Sequence, residues 1–343
     1  MRARELGIAI GELEPGPLGA ITDVAGVRVG HTTLHEGESI RTGVTVVVPP
    51  ELPCFAGAHR LNGNGELTGL EWVRESGLLT SQIGLTNTYS VGVVRDAIVQ
   101  VRVREGSDLW HLPVVGETYD GFLNEIEGMH VRAEHLEAAL ESAAGGPVAE
   151  GCVGSGTGMT CHGFKGGIGT ASRRAGEWTV GVLVQANHGR RSRLAIDGVP
   201  VGRELGADRI PVPGAGAPEG AGSIIVIVAT DAPLLPHQCE RLAARAALGV
   251  ARCGGAGENS SGDLMLCFAS GNRDLGATEG RVGVELLPND VLDPLFWATI
   301  ESTEEAIVNA LLAAETTSGR AGRVVHRLDP DLLAEVMQRY GRL

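Results

Sequence analysis

The chain has 343 residues, of which 43% are hydrophobic, and its 28 Lys and Arg against 42 Asp and Glu give a formal net charge of −14. An acidic surface of this size repels phosphate backbones, which argues against a nucleic-acid partner. The apolar runs are shorter than the ~20 residues of a membrane helix and no signal-peptide pattern follows Met1, so we expect a cytoplasmic protein with no membrane partner.

The N-terminal part is predicted to begin with strands and to continue with helices. ITDVAGVRVGHTTL (21–34) and RTGVTVVVP (41–49) combine β-branched residues with turn residues, as strands and their connections do. Helices are predicted over ELTGLEWVRESG (66–77) and AEHLEAALESA (133–143).

The C-terminal part is predicted to alternate hairpin, strand and helix. GGIGTAS (166–172) and EWTVGVLVQAN (177–187) indicate a hairpin with its turn at residues 173–176, where Gly176 suits a turn. After a core strand at 223–229 comes HQCERLAARAALGVARC, an amphipathic helix whose small and apolar residues share one face: Cys239, Leu242, Ala243, Ala246, Ala247 and Val250. A strand over DLMLCFAS (263–270) and a long helix over 291–314 complete the order.

This order of elements predicts stacked sheets rather than a sheet built of regular βαβ units. The run Ile-Ile-Val-Ile-Val-Ala has no polar alternation, so both of its faces should be covered. Helices on one face and a second sheet on the other would do this, and we therefore expect one domain, 1–343, folded as a four-layer αββα sandwich. No GxGxxG or GxxxxGKS/T motif is present, and we expect no nucleotide or other cofactor.

The junction between Gly222 and Ser223 joins two segments of opposite character. Six of the eight residues 215–222 are Gly or Ala, and the apolar strand follows directly. One interpretation is a surface linker that ends where a strand begins. The other is self-cleavage, in which the Ser223 hydroxyl attacks the preceding carbonyl; Gly222 has no Cβ to obstruct the unusual backbone geometry this requires. The cut would leave a serine whose α-amine, with a pKa near ~7.7–8.0, can act as its own general base.

A family resemblance extends over nearly the whole chain, in blocks that follow one another in order: ITDVAGVRVGHTTL (21–34), LTNTYSVGVVRDAI (85–98), PVVGETYDGFLN (113–124), GSGTGMTCHGFKGGIGTAS (154–172), TVGVLVQANHG (179–189), the Gly222-Ser223 junction and NSSGDLMLCFAS (259–270). The sequence resembles the P1 family of self-processing aminopeptidases, which contains L-aminopeptidase D-amidase/esterases and β-peptidyl aminopeptidases. The resemblance implies an αββα fold like that of N-terminal-nucleophile hydrolases but with different strand connectivity. It also implies cleavage into 1–222 (α chain) and 223–343 (β chain), and a homo-oligomer of the cleaved heterodimers.

The resemblance places the nucleophile on Ser223 and its hydroxyl and acid neighbours on Ser261 and Asp263, which a polar turn before a strand would also explain. Asn187 falls on an asparagine that donates to the oxyanion, although asparagine is also common at strand ends. Tyr119 falls on a site tyrosine, with core packing as the alternative. We assign Glu117 to the substrate ammonium, with Asp120 or plain surface exposure as alternatives.

The leading functional prediction is an N-terminal serine hydrolase that removes N-terminal residues from small peptides, amides or esters through an acyl-enzyme. An acyltransferase like the ornithine acetyltransferases is an alternative, but those enzymes use an N-terminal threonine where this chain has Ser223. A binding protein for small ligands that never cuts itself is the third possibility. The sequence leaves open the natural substrate, the preference for α- or β-amino acids, the stereochemistry and the number of subunits.

Metal binding and disulfides are not expected. His31 and His35 stand four residues apart, but no third ligand accompanies them. Six cysteines without CxxC spacing are typical of reduced, mostly buried thiols. The basic group Arg190, Arg191 and Arg193 is interpreted as a solvated turn or a subunit contact.

Overall fold

The computed structural model of the protein describes residues 1–106, 110–214 and 222–343. Within these ranges the strands are β1 Arg28–Glu36, β2 Ile40–Val48, β3 Cys54–Gly63, β4 Leu78–Leu79, β5 Ile83–Asn87, β6 Val114–Thr118, β7 Thr160–Cys161, β8 Phe164–Lys165, β9 Gly167–Ala175, β10 Trp178–Asn187, β11 Ser223–Thr230, β12 Gly262–Ala269, β13 Thr317–Ser318 and β14 Val324–Val325. The α-helices are α1 Leu70–Ser76, α2 Val91–Arg104, α3 Ala133–Glu141, α4 Val201–Glu204, α5 Pro236–Arg252, α6 Asp293–Ala313 and α7 Pro330–Arg339.

Two large sheets lie face to face between layers of helices. The first sheet has the order β1-β2-β5-β6 and the second the order β4-β3-β12-β11-β10-β9. One apolar cluster contains residues of both sheets and fills the space between them. Helices α2 and α3 pack on the outer face of the first sheet, and α5 and α6 pack on the outer face of the second. The predicted four-layer αββα sandwich is confirmed.

Strand β11 lies inside the second sheet and is buried on both faces, as its unbroken apolar run predicts. Ile224 and Val226 belong to the cluster under the helices, whereas Ile225 and Ile227 belong to the cluster between the sheets. Each such side chain contributes roughly 1.5–3 kcal/mol of transfer free energy on burial. The strand that begins at Ser223 is therefore held firmly from both sides.

The predicted hairpin of β9 and β10 is confirmed, but the predicted position of its turn is wrong. Strand β9 continues to Ala175, and Ala175 pairs with Trp178, so that the turn lies at Gly176 and the residue after it. Arg173 is fully buried within the strand, where its guanidinium binds Glu301 at 3.2 Å and Glu305 at 2.6 Å. These two carboxylates of α6 stabilise a charged side chain at a position where sequence favours a turn.

Most of the predicted helices agree with the structure, and the deviations have local causes. The segment 66–77 contains only the short helix α1, because Gly69 and Gly77 on either side have φ of 74° and 73°, in the left-handed region. Helix α2 was not predicted, since its sequence VGVVRDAIVQVRVR is rich in β-branched valine, which favours strands. None of the described helices is long and apolar enough to cross a bilayer.

Strands from before and after the Gly222-Ser223 junction are interleaved in the second sheet. Strand β12 pairs with β3 on one side, and β11 pairs with β10 on the other. The Gly/Ala-rich residues 215–221 lie outside the described residues. Of the segment 215–222, the structure therefore describes Gly222 alone.

Candidate active site

Ser223 is the first residue of β11 and lies where several strands begin or end. It pairs with Asn187, the last residue of β10, and with Gly262, the first residue of β12. The backbone N–H of Gly262 donates a hydrogen bond to the Ser223 Oγ at 3.1 Å. The side chain is 5% exposed, so the hydroxyl is largely shielded from bulk water. The fold therefore fixes the backbone of Ser223 from both neighbouring strands and its hydroxyl oxygen from β12.

Gly222 occupies a position that admits no side chain. A Cβ built on this residue would overlap the backbone carbonyl oxygen of Asn187. Even alanine would therefore displace the backbone beside Ser223. The structure supplies a steric reason for glycine in front of the serine.

Ser261 and Asp263 form a buried hydroxyl–carboxyl pair on either side of Gly262. The Ser261 hydroxyl donates to Oδ1 of Asp263 at 2.5 Å. Burial raises the pKa of Asp263 to about 6, while hydrogen bonds from Ser261 and from the backbone N–H of Ile224 act in the opposite direction. Because Ile224 follows Ser223, the carboxyl group is anchored one residue from the candidate nucleophile.

Two asparagines that the sequence analysis did not identify hold the loop before β12. The Asn62 amide donates to the carbonyl oxygens of Glu258, at 3.0 Å, and of Ser261. The Asn64 amide donates to the carbonyl oxygen of Ser260 at 2.9 Å. The sequence pattern that marks these two residues is the alternation Asn-Gly-Asn-Gly at the end of β3. It points two amide side chains in the same direction but cannot reveal which loop they bind.

Asn187 is held in one orientation by two backbone groups. Its Nδ2 donates to the carbonyl oxygen of Tyr119 at 2.9 Å, and its Oδ1 accepts from the N–H of Thr160 at 2.7 Å. Tyr119 itself is 41% exposed, which excludes the alternative that its ring packs in the core. The backbone of Tyr119 positions the amide, and its ring faces the outside.

Glu117 is a buried carboxyl group on β6, close to the same strand ends. It accepts a hydrogen bond from the N–H of Glu66 at 3.0 Å and another from the Thr88 hydroxyl. A Cβ on Gly65 would lie 2.9 Å from Oε1 of Glu117 and 3.0 Å from the Cα of Gly262, so carboxylate and Gly262 flank the same narrow space. Burial raises the pKa of Glu117, and the hydrogen bonds oppose this shift. The surface-exposure alternative is wrong, since the residue is only 3% exposed.

Asp120, the competing acid, belongs to a different environment. It is fully buried and accepts from the Asn124 amide at 3.0 Å, and burial raises its pKa to about 7. A Cβ on Gly158 would contact the Asp120 Cβ at 2.8 Å, on the side of β2 and β7 rather than at Gly262. The geometry favours Glu117 over Asp120 for an incoming ammonium group.

The basic and histidine residues singled out in the sequence have structural contacts. Arg191 is buried, lies over the Phe164 ring and donates to the carbonyl oxygens of Leu205 and Ile210, so the prediction of a solvated turn or subunit contact is wrong for this residue. His31 binds the Thr45 hydroxyl at 2.9 Å, and burial lowers its pKa to about 4. Among the described residues, the group of three or more potential metal ligands that come together is a different one: Cys161, His162 and His188.

Two stacked sheets lie between helix layers, and polar side chains gather where β10 ends and where β11 and β12 begin. This fold and this site define a hydrolase of the N-terminal-nucleophile type. The family is equally clear: the chain belongs to Peptidase family S58, whose model matches residues 19–325. It is a serine aminopeptidase, in agreement with the predicted activity.

The chain is similar over its full length to named aminopeptidases. It is 46% identical to the β-peptidyl aminopeptidase BapA of Sphingosinicella microcystinivorans, with 100% of this chain and 93% of the relative aligned. Its structure resembles a Burkholderia sp. β-aminopeptidase, with a TM-score of 0.92, 53% identity and 99% of each chain covered. It also resembles the L-aminopeptidase D-Ala-esterase/amidase of Ochrobactrum anthropi, with a TM-score of 0.91, 42% identity and 100% and 99% of the two chains covered. That protein is described as a prototype for the serine aminopeptidases and a new variant of the Ntn hydrolase fold. These similarities favour the aminopeptidase over both the acyltransferase and the non-catalytic alternative.

Proposed function

We propose that the chain cuts itself between Gly222 and Ser223 and that Ser223 is then the nucleophile of the aminopeptidase. The observation that carries this proposal is the hydrogen bond from the Gly262 N–H to the Ser223 Oγ at 3.1 Å, at the start of a buried strand. This bond restrains the hydroxyl oxygen of the residue that follows the proposed scissile peptide bond. The products are fragments 1–222 and 223–343.

The self-cleavage proceeds in two balanced steps. The Ser223 Oγ attacks the carbonyl carbon of Gly222, the C–N bond breaks, and the hydroxyl proton ends on the nitrogen that becomes the α-amine. Water then hydrolyses the resulting ester, which restores the hydroxyl and leaves a carboxylate on Gly222. Both steps use the same oxygen that later attacks substrate.

In the mature enzyme the α-amine of Ser223 takes the proton from its own hydroxyl. Asp263 holds the ammonium form that results, and Ser261 orients Asp263 through their hydrogen bond. Asn187 already donates one amide N–H to Tyr119, and its second N–H is assigned to the oxyanion of the tetrahedral intermediate. The acyl-enzyme is released by water.

Glu117 and Tyr119 recognise the substrate in this proposal. A buried carboxylate beside Gly262 pairs with the N-terminal ammonium of the substrate, which restricts the enzyme to the first residue of a peptide. We assign the partly exposed Tyr119 ring to the entrance of the site, since the backbone of the same residue binds Asn187.

The proposed substrates are small peptides, amides or esters with a free N-terminal residue, including a β-amino residue. The names of the Sphingosinicella and Burkholderia relatives, at 46% and 53% identity, support β-amino residues. The cleaved heterodimers are proposed to form a homo-oligomer in the cytoplasm. Trp297 on α6 is 55% exposed and would be covered in such an assembly.

Cleavage and nucleophile are tested together by Ser223→Ala. The wild-type protein should run as two bands on a denaturing gel, and N-terminal sequencing of the smaller fragment should give Ser-Ile-Ile-Val. The variant should remain one folded chain without activity on an aminoacyl anilide, because the attacking oxygen is absent. Ser260→Ala, an exposed serine of the same NSSGD motif, is the matched control and should be cut normally. A single wild-type species after long incubation, or a cut alanine variant, would refute the proposal.

Substrate class is tested with paired anilides that differ only in an α- or β-amino acyl group. Hydrolysis of the β-amino anilide supports the proposed substrate range. Hydrolysis of the α-amino anilide alone would limit the enzyme to α-amino residues. Light scattering on the purified protein measures the assembly, and a mass of one 35.6 kDa protomer would contradict the oligomer.

A further inference from the structure

Three buried side chains with the chemistry of metal ligands meet beside the candidate active site. Cys161, His162 and His188 each offer a ligand atom, and these atoms lie within 4.8 Å of one another. All three residues are at most 3% exposed. The sequence spacing concealed the group, because His188 lies on a different segment from the adjacent pair Cys161 and His162.

The two turns that carry these residues are locked together. His162 has a φ of 50° in the turn between β7 and β8, and its N–H donates to the carbonyl oxygen of His188 at 2.6 Å. A Cβ on Gly189 would overlap the His162 ring, so glycine is required for this approach. The ring positions are therefore set by backbone contacts rather than by loose packing.

The hydrogen bonds leave one ring nitrogen of His162 without a protein partner. His162 Nδ1 lies 3.1 Å from the carbonyl oxygen of Arg190, which makes Nδ1 the protonated nitrogen and leaves a lone pair on Nε2. Within the described parts of the chain, Nε2 of His162 is buried without a hydrogen-bond partner, whereas in His188 it is Nδ1 that faces the Cys161 thiol. A histidine that donates from one nitrogen to a backbone carbonyl and keeps the other free is the usual arrangement of a metal ligand.

The distances suit a small divalent cation. His188 Nδ1 lies 3.7 Å from Cys161 Sγ, and the two imidazole rings meet edge to face with centroids 5.0 Å apart. Zinc bonds of ~2.3 Å to sulfur and ~2.0–2.1 Å to nitrogen place tetrahedral ligands ~3.5 Å from one another. The ring nitrogens and the thiol need to move inward by at most about 1 Å to share such an ion.

The donor atoms also suit a divalent cation. An incoming cation must displace the thiol proton of Cys161. One thiolate and two imidazoles form a donor set that selects zinc over magnesium or calcium.

We propose that Cys161, His162 and His188 form a three-ligand site for Zn²⁺ or a similar divalent cation, which fastens the β7–β8 turn to the segment after β10. The site supports Asn187, because Thr160, in the strand β7 that precedes this turn, supplies the N–H that binds the Asn187 side chain. This inference does not depend on the proposed self-cleavage. The competing interpretation is a thiol–imidazole hydrogen bond in a metal-free core.

The test measures metal directly. Full-length protein is expressed in medium with added Zn²⁺, dialysed, and analysed by mass spectrometry for metal content; in parallel, Co²⁺ replaces Zn²⁺ and the near-ultraviolet thiolate-to-cobalt band is recorded. Wild-type protein and Cys152→Ser, a variant of a half-buried thiol outside the group, should both hold about one ion per chain and show the band. Cys161→Ser and His188→Asn should bind at least ~100-fold more weakly.

His162→Asn keeps the test decisive if the other variants fail to fold. Asparagine accepts the positive φ of residue 162 but is a poor zinc ligand, so the variant should fold by circular dichroism and lose the metal. Wild-type protein without metal under both conditions would overturn the proposal and leave the thiol–imidazole hydrogen bond. Equal metal content in wild type and in folded His162→Asn would overturn it as well.

Discussion

The ionisation proposed to control catalysis at Ser223 can be shifted in a known direction, because Asp263 lies close to the amine that the proposed cleavage would create. Asp263 accepts from the N–H of Ile224, the residue after Ser223. Its own pKa is about 6, so it is ionised throughout the range in which an α-amine titrates. A nearby anion favours the ammonium form and raises the pKa of the amine above ~7.7–8.0.

The size of the effect follows from the strand register. The hydrogen bond from the Ile224 N–H to the Asp263 carboxylate spans ~3 Å, and the step along the strand from Ser223 to Ile224 spans ~3.5 Å. Together they place the carboxylate ~6 Å from the amine of Ser223. At that distance and an effective dielectric constant of ~20, the attraction is about 3 kcal/mol, equivalent to about 2 pH units. Allowing for water at the mouth of the site, Asp263→Asn should move the rising limb of kcat/KM down by ~1–2 pH units. The rate at the plateau should also fall, because the group that positions the amine is altered.

The assay is a pH profile of kcat/KM with two aminoacyl esters whose amines differ in pKa, since the substrate ammonium titrates in the same range. The limb should stay at the same pH for both esters if it belongs to the enzyme. Asp231→Asn is the matched control: Asp231 accepts from the Thr179 N–H at 2.7 Å, but it follows the far end of β11, ~26 Å from the amine. A limb that follows the substrate, or that Asp263→Asn leaves in place, would refute the amine as base and favour a relay through Ser261.

Three further predictions concern single contacts. Gly222→Ala should slow self-cleavage on a denaturing gel, because its Cβ would overlap the Asn187 carbonyl oxygen. Gly214→Ala, whose Cβ would meet no atom of the described residues within 4 Å, should be cut at the wild-type rate; equal rates would contradict the steric argument. Glu117→Gln should raise KM for a free-amine substrate by ~10–100-fold at pH 7 with a smaller change in kcat, and Asp120→Asn should not; the opposite result would transfer ammonium binding to Asp120. Arg173→Met, made in the Ser223→Ala chain, should lower the free energy of unfolding in urea by about 3–5 kcal/mol, because Glu301 and Glu305 lose their buried cation. Arg174→Met, at an exposed position of the same strand, should lower it by less than about 1 kcal/mol, and similar losses for both variants would refute the buried network.

The layered fold could be predicted because the sequence of its central strand alone shows that both faces of the strand are buried. Ile224 to Ala229 form an unbroken apolar run, which requires cover on both faces, and the structure supplies a helix layer and a second sheet. Arg173 shows the limit of such reasoning. Two adjacent arginines shortly before a glycine favour a turn. In the structure, two carboxylates of α6, more than a hundred residues later in the chain, bind Arg173 and stabilise it inside a strand instead.

The candidate site could be predicted only in part, for a similar reason. Ser223, Ser261 and Asp263 stand in short motifs, and the family resemblance marked Asn187. The Asn62 amide gave no comparable signal, because its partners are carbonyl oxygens of the chain about 200 residues away. Side chains that bind backbone leave no trace in the identity of their partners, so the Asn-Gly-Asn-Gly alternation marks the amides but not the loop that they bind.

The interleaving of strands across the Gly222-Ser223 junction has a kinetic consequence. In the second sheet β11 and β12 are bordered by β10 and β3, so each proposed fragment supplies strands that the other needs. The uncut chain brings these strands together as a unimolecular process, with a tether that sets their effective concentration. Once the tether is cut, reassembly after unfolding becomes second order in the two fragments, and it slows with every dilution. The lifetime of the mature molecule is then governed by how slowly it unfolds rather than by its folding equilibrium.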